Sequence, residues 1–318
     1  MEKRGASPPS ILVSFIQYGG KMINIYLTTD PELGKSINPD ITVEAEYGTT
    51  VVEGSIYTAA HHQPLGTKYG QQRPAPCNDS NIPALVAEMP NDENVAGGTI
   101  LISHIDLDTL GGVARAMGLG NMFKPEYESF WNLAEFVDNN GVHKLMTQNP
   151  SDENVKRLNA WWNIQSKTTR FAFGELHEVT EYVYDLLDSL YNCLEMNDKE
   201  IQDGIEFKAK TDELNRASFV KAEAGVILRK ADSFVNHLYE IPESPSIGEC
   251  IVAYNTKFNS ITASLANDRE FDMGDVMREF FNDPEAGGKK GIGGGNRNVQ
   301  YTFEQAENLA EYMIKKLK

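Results

Sequence analysis

Residues 99–118, TILISHIDLDTLGGVARAMG, constrain the fold more than any other stretch of the chain. A short apolar run with polar residues after it reads as a buried strand, and the small-residue segment that follows reads as a helix start. His104, Asp106 and Asp108 occupy the junction at alternate positions, so an extended backbone points all three side chains to one side. Open α/β sheets gather their ligands at such junctions, beyond the carboxyl ends of parallel strands. Three clustered ligand-type side chains are costly to bury without a cation, which argues for a metal site. Asp108 also suits the N-cap of the helix, and Gly111 and Gly112 let the first turn approach a neighbour or an anion.

The rest of the chain extends this pattern. Its 318 residues suit two domains of roughly 150 each. Segments INIYLTT, ITVEAEYG and TVVEGSIYTAAHH read as further strands, bounded by Gly, Pro and Asn signals. From Asp108 to about Trp162 the period is helical, with Phe130, Leu133, Ala134 and Val137 on one face. ELHEVTEYVYDLLDSLYNCLEM predicts an amphipathic helix with a stripe of Leu176, Val179, Val183, Leu186, Leu190 and Leu194, and it contains His177. Residues 200–239 are polar and read as a long connector helix holding His237; IPESPSIG then marks a boundary. ECIVAYNT and NSITASLA form a hairpin, followed by a helix at MGDVMREFF, a glycine loop, a short strand VQYTF and a closing helix. The expected fold is α/β: a largely parallel N-terminal sheet with helices, a helical connector and a smaller C-terminal α/β domain. The expected boundaries are 1–21 for an extension, 22–198, 199–244 and 245–318.

Charge narrows the partners. With 29 Lys+Arg against 46 Asp+Glu, the net charge of −17 argues against a broad nucleic-acid-binding face. No apolar run approaches the roughly 20 residues that span a bilayer, and the N-terminal ILVSFIQY lacks a cleavage site. Cys77, Cys193 and Cys250 are odd in number and far apart, favouring a reduced, cytoplasmic setting. The long helices leave a homodimer open, although an amphipathic stripe serves equally as core.

Two further clusters extend the candidate site. His61 and His62 end a strand in AAHHQP; adjacent residues face opposite ways, so one of them points into a shared site unless the chain bends. In FVDNNGVHK, Asp138 ends a helix and the turn brings His143 back. Imidazoles with carboxylates and no convincing thiolate suit Mn²⁺, Fe²⁺ or Zn²⁺, with Mg²⁺ an alternative. His177 and His237 read as ordinary helix residues; His177 lacks the second His that a helical zinc-protease motif requires. The loop AGGKKGIGGGNRN, with Lys289, Lys290 and Arg297, is the most basic stretch of an acidic chain, suited either to an anion or to solvent.

Residues 99–118 resemble the first signature of the DHH phosphoesterase superfamily. CIVAYNTKFNSITASLAND, DMGDVMREFF and GIGGGNRNVQYTFEQAENLAEYM resemble, in order, the hairpin, helix, glycine loop and closing helix of the DHH-associated C-terminal domain. In that family the loop usually reads Gly-Gly-Gly-His and contacts substrate. Here Gly293, Gly294 and Gly295 match, while Asn296 stands at the His position, followed by Arg297 and Asn298. Ile102 holds the place of the family's first His, and no Asp-His-His triplet occurs. The resemblance implies a metal-dependent hydrolase of phosphoester or phosphoanhydride bonds acting on a small nucleotide or short phosphorylated substrate. Metal ligands would come from His61, His62, His104, Asp106, Asp108, Asp138 and His143, with Asp108, His104 and His143 closest to the chemistry and Asp108 as the bridge. Residues 293–298 would bind substrate. The alternatives are a non-catalytic nucleotide-binding module on the same fold, and a metal-dependent hydrolase of a non-phosphate bond.

Overall fold

A computed structural model describes residues 23–43, 57–59, 98–172, 174–267 and 269–318. The described residues fall into two units: one comprises those up to Asn139 with Asn149–Phe207, the other Asn140–Gln148 with Lys208–Lys318. Both are mixed α/β, as the alternation of strand and helix periods predicts.

In the first unit, strands β1 (Asn24–Leu27), β2 (Ile41–Val43), β3 (Tyr57–Ala59), β4 (Thr99–Ile102) and β5 (His177–Glu178) form one sheet in the order β3-β2-β4-β1-β5. All pairings are parallel except that of β5 with β1. Ile100, Leu101 and Ile102 are fully buried, as expected of a parallel strand covered on both faces. The helices are α1 (Pro31–Ser36), α2 (Leu107–Ala116), α3 (Glu128–Asn140), α4 (Asp152–Gln165), α5 (Thr180–Leu194) and the start of α6 (Asp198–Ser218). On α5 the predicted stripe is buried from Val179 through Leu194. Its entry is tied to the sheet, because Thr180 Oγ1 accepts from the buried Ile25 backbone N–H at 2.8 Å.

Here one expectation is corrected. His177 is not helical; it lies in β5, whose backbone closes the open edge of β1, and Val179 N–H continues that contact to the Ile25 carbonyl at 2.8 Å. Satisfying an edge strand's free groups outweighs a modest helical preference.

The second unit holds a six-stranded sheet, β10-β11-β9-β8-β7-β6. It is built from β6 (Phe219–Glu223), β7 (Val226–Ala231), β8 (Cys250–Asn255), β9 (Ser260–Leu265), β10 (Gly287–Lys289) and β11 (Ile292–Gly294). The predicted 250–265 hairpin forms, with Cys250 opposite Leu265 and Asn255 opposite Ser260. Helices α7 (Met273–Phe281) and α8 (Phe303–Lys316) bury Met273, Met277, Leu309 and Met313 against one face with Val226, Leu228 and Val252. The other face buries Ile227 and Ile251 beneath Val235, Leu238 and Tyr239.

Three sequence expectations fail in this unit. The connector helix stops at Ser218, and residues 219–231 instead make a hairpin whose buried strand β7 runs parallel to β8. Its two-residue turn puts both Ala224 and Gly225 at positive φ, 46° and 83°. An alanine at the first such position hides the usual Asn-Gly hairpin signal. His237 lies in a turn outside any helix. The predicted strand VQYTF is irregular, while the glycine loop itself folds into the β10–β11 hairpin. Its glycines serve packing: a Cβ on Gly293 would lie 2.6 Å from Met277 Cγ, and one on Gly295 2.5 Å from the Tyr301 ring.

One buried charge organises the far face of this sheet. Arg229 is fully buried and all five of its N–H groups donate to uncharged acceptors. Nε bonds the Leu238 carbonyl at 2.8 Å, Nη1 the Asn215 carbonyl at 2.8 Å and Ser218 Oγ at 2.9 Å, and Nη2 Asn215 Oδ1 at 2.5 Å and the Glu240 carbonyl at 2.8 Å. Burial pushes its guanidinium down to about 10, so it stays charged at neutral pH.

Candidate functional site

The end of β4 delivers the polar cluster. After the buried Ile102 the chain leaves the sheet through Ser103, and Asp106 caps α2 by accepting from the Thr109 backbone N–H at 3.2 Å. Asp108, read from sequence as a possible cap, sits instead in the first helical turn and is 7% exposed. The helix has taken the earlier aspartate as its cap and carried the later one into the interior.

His104 faces this pair. Its Nε2 lies 2.8 Å from Asp106 Oδ2 and its Nδ1 lies 2.8 Å from Ser103 Oγ, so both ring nitrogens are engaged by neighbours along the same turn. Burial pushes the Asp106 carboxyl upward, but the His104 hydrogen bond and charge, together with bonds from Asp108 and Thr109, outweigh it and hold Asp106 well below the usual carboxylate range. Asp108 is driven the other way. Burial, then the Asp106 charge, the bond to Asp106 and the charge of Asp138 push it up to about 9. At neutral pH the pair therefore carries one proton, with the Asp108 hydroxyl donating to ionised Asp106. Asp138 is exposed near the end of α3 and reaches the pair through its field.

His143 belongs to the second unit, where its Nε2 lies 3.2 Å from the Ala266 carbonyl and its ring packs on Tyr239 at a centroid distance of 4.6 Å. The turn after Asp138 thus leads His143 to contacts with Tyr239 and the Ala266 carbonyl within the second unit. His61, His62 and Cys77 lie outside the described residues. Cys193 and Cys250 are buried free thiols, and burial pushes both up, that of Cys250 to about 12.

The donor chemistry of the cluster, carboxylates with an imidazole, suits a hard or borderline divalent cation. Among the described residues, however, no three His, Cys, Asp or Glu side chains are grouped so as to hold one. The physical reason is visible in the bonds: His104 and Asp106 face each other, and Asp108 is turned on Asp106.

In the second unit, Gly293, Gly294, Gly295, Asn296, Arg297 and Asn298 line one wall of a cleft of about 1030 Å³. Asn296, at the family's His position, is occupied within the protein. Its Nδ2 donates to Asp283 Oδ2 at 2.9 Å and Glu285 Oε2 at 3.0 Å, its Oδ1 accepts from Asn298 N–H at 2.9 Å, and its backbone N–H donates to Tyr301 Oη at 2.8 Å. It fastens the loop, in which Lys290 and Arg297 are exposed.

Sequence reasoning overlooked Asp30, which follows β1 and so lies along the same strand-end edge as Ser103. It caps α1 by accepting from the Glu32 and Leu33 backbone N–H groups. The Asp-Pro-Glu string is the signal that could have found it.

No family model matches the chain, and no curated protein is similar to it. Among solved structures, the chain is similar to a pGpG-specific phosphodiesterase, PggH, from Vibrio cholerae. The two are 11% identical, with 78% of this chain and 90% of that chain covered and a TM-score of 0.38. A likeness at this level says nothing of activity or substrate.

Proposed function

We propose that the chain is a hydrolase of phosphoester or phosphoanhydride bonds in a small nucleotide or short phosphorylated substrate, with Asp106 and Asp108 at its chemical centre. One observation carries this reading: the buried Asp108 stands beside Asp106, itself 2.8 Å from His104, just past the carboxyl end of a parallel strand, where burial and neighbouring charge drive the proton affinities of the two carboxyls apart. Carboxyl groups whose environments drive their proton affinities apart divide the roles of acid and base. Asp106 holds negative charge and is oriented by His104, which Ser103 in turn steadies. Asp108 holds a proton that can pass to a leaving oxygen.

A divalent cation would have to displace the Asp108 proton and turn His104 away from Asp106; Asp106, Asp108 and Asp138, with His104, are the described residues that would then hold it, with Mn²⁺ the first candidate and Mg²⁺, Fe²⁺ or Zn²⁺ the others. Such a cation would supply an acidified water and a clamp on phosphoryl oxygens. His61 or His62 is the candidate for a further ligand. In the second unit, Arg297 and the glycine hairpin suit a phosphate, because a guanidinium fork pairs with two phosphate oxygens at once.

The test is elemental analysis of the purified chain alongside hydrolysis of nitrophenyl phosphodiesters, pyrophosphate and cyclic dinucleotides with each metal, with acylated compounds in the same panel. Turnover of the phosphorylated compounds, and its joint loss with metal in Asp108→Asn, is expected. A metal-free chain that hydrolyses none of them with added cation overturns the proposal, and turnover confined to the acylated compounds reassigns the bond.

A second reading has its own observation. Ile102, fully buried in β4, holds the position of the family's first His, and the described residues assemble no three-ligand group. These favour a nucleotide-binding module without turnover. Calorimetry with nucleotides, with and without Mn²⁺, separates the two: tight binding without hydrolysis selects the module.

A further inference from the structure

Four exposed apolar side chains of the second unit line the cleft beside the glycine hairpin, Phe234, Phe258, Ile292 and Val299, and two of them are aromatic. Phe234 is 61% exposed and Phe258 is 55% exposed, yet their rings lie nearly parallel, 23° apart, with centroids 6.2 Å from each other. Both line the same cleft as Gly294, Gly295 and Arg297. Phe234 follows β7 in the segment that Arg229 anchors, and Phe258 sits in the turn between β8 and β9. That turn is fixed by Asn255 Oδ1, which accepts from the Lys257 and Phe258 backbone N–H groups at 3.0 and 3.1 Å. Two separate parts of the fold thus present phenyl rings from anchored backbones to one cleft.

We propose that Phe234 and Phe258 form a stacking platform for the base of a nucleotide whose phosphate lies toward Arg297. This rests on the phosphorylated-substrate reading above and specifies its substrate as base-bearing. Each end of such a ligand has its complement. A nucleobase gains from an aromatic face whatever its identity, since every base has a π-face. A phosphate gains from the fork of Arg297, a residue that lines the same cleft. The acidic side chain among the lining residues, Glu285, accepts from the Asn296 amide. At about 1030 Å³ the cleft also has the volume of a small-molecule site.

The proposal is tested by calorimetry on the full chain with adenosine monophosphate, guanosine monophosphate and ribose 5-phosphate. The nucleotides should bind about tenfold or more tightly than the base-free sugar phosphate. Phe234→Ala combined with Phe258→Ala should erase that difference while leaving ribose 5-phosphate affinity unchanged, and Phe258→Trp should retain it. Equal affinity for all three ligands in the wild-type chain overturns the platform, as does a double alanine variant that still discriminates. So does a dimer that the double variant converts to monomer without any change in nucleotide binding. Because binding is measured apart from turnover, base preference without hydrolysis overturns only the hydrolase reading. Hydrolysis without base preference overturns only the platform.

Discussion

The two units bury charge in opposite ways. In the second, Arg229 is sealed from solvent, and every N–H of its guanidinium meets a neutral oxygen at 2.5 to 2.9 Å. Its charge is spread over carbonyls and a hydroxyl that already lie in place, and it joins α6, β7 and the segment after β7. In the first, Asp108 is almost as deeply buried, but its neighbours include two other acids, and the pair stays in place only by keeping a proton. A fully satisfied buried charge organises structure, whereas an under-compensated one marks where a further charge is to be received.

The sharpest break in this comparison is Asp108→Asn, which replaces the proton-bearing carboxyl with an amide that cannot ionise, with little change of shape. If the cluster is the chemical centre, steady-state assays should show kcat/KM falling about 10²- to 10⁴-fold with the fold intact by circular dichroism. Arg229→Met should do the reverse. It strands several buried carbonyls and should lower stability by about 3–5 kcal/mol in denaturant titration, with any loss of activity following only from unfolding.

The pH dependence sharpens the contrast. In an unstructured chain both aspartates ionise near 3.8, whereas the folded pair retains a proton up to about 9. Through that window the folded state binds more protons, so the stability due to Asp108 is fully present below 3.8 and declines as pH rises toward 9. The depressed Asp106 acts in the opposite sense, its contribution present above 3.8 and lost on further acidification. Denaturation midpoints should therefore fall between about pH 5 and pH 9. Asp108→Asn should flatten this slope, and a bound divalent cation should oppose it. Arg229, charged throughout, should add no slope of its own.

Smaller effects are expected in the glycine hairpin. Gly293→Ala places a methyl 2.6 Å from Met277 Cγ and 2.8 Å from the Met273 carbonyl oxygen. It should cost about 1–3 kcal/mol in thermal unfolding. Arg297→Ala, at an exposed position, should leave stability and metal content unchanged while raising KM about tenfold for a phosphorylated substrate.

Much of this contrast was legible in one dimension, though unevenly. The Asp106–Asp108 pair announced itself because metal-type side chains at alternate positions after an apolar run are unusual for a core. The hairpin at 250–265 and helices α7 and α8 followed from apolar runs, periodicity and caps such as Thr302. Arg229 was invisible, since RKAD reads as surface and its acceptors come from residues 215, 218, 238 and 240. The contact of His143 was hidden for the same reason: its partner, the Ala266 carbonyl, lies 123 residues away.

By itself, the sequence determined what local chemistry controls: the alternation of strand and helix, the buried β4, the acidic cluster at its end and a glycine-rich segment free to approach other backbone. Only the tertiary structure decided which aspartate caps α2 and which is buried, that residues 219–231 are strands, that the glycine segment is a hairpin, and that Asn296 fastens it. These outcomes depend on which distant backbone groups remain to be satisfied once the sheets have formed, and hydrogen bonds across that many residues leave no periodic trace in the chain.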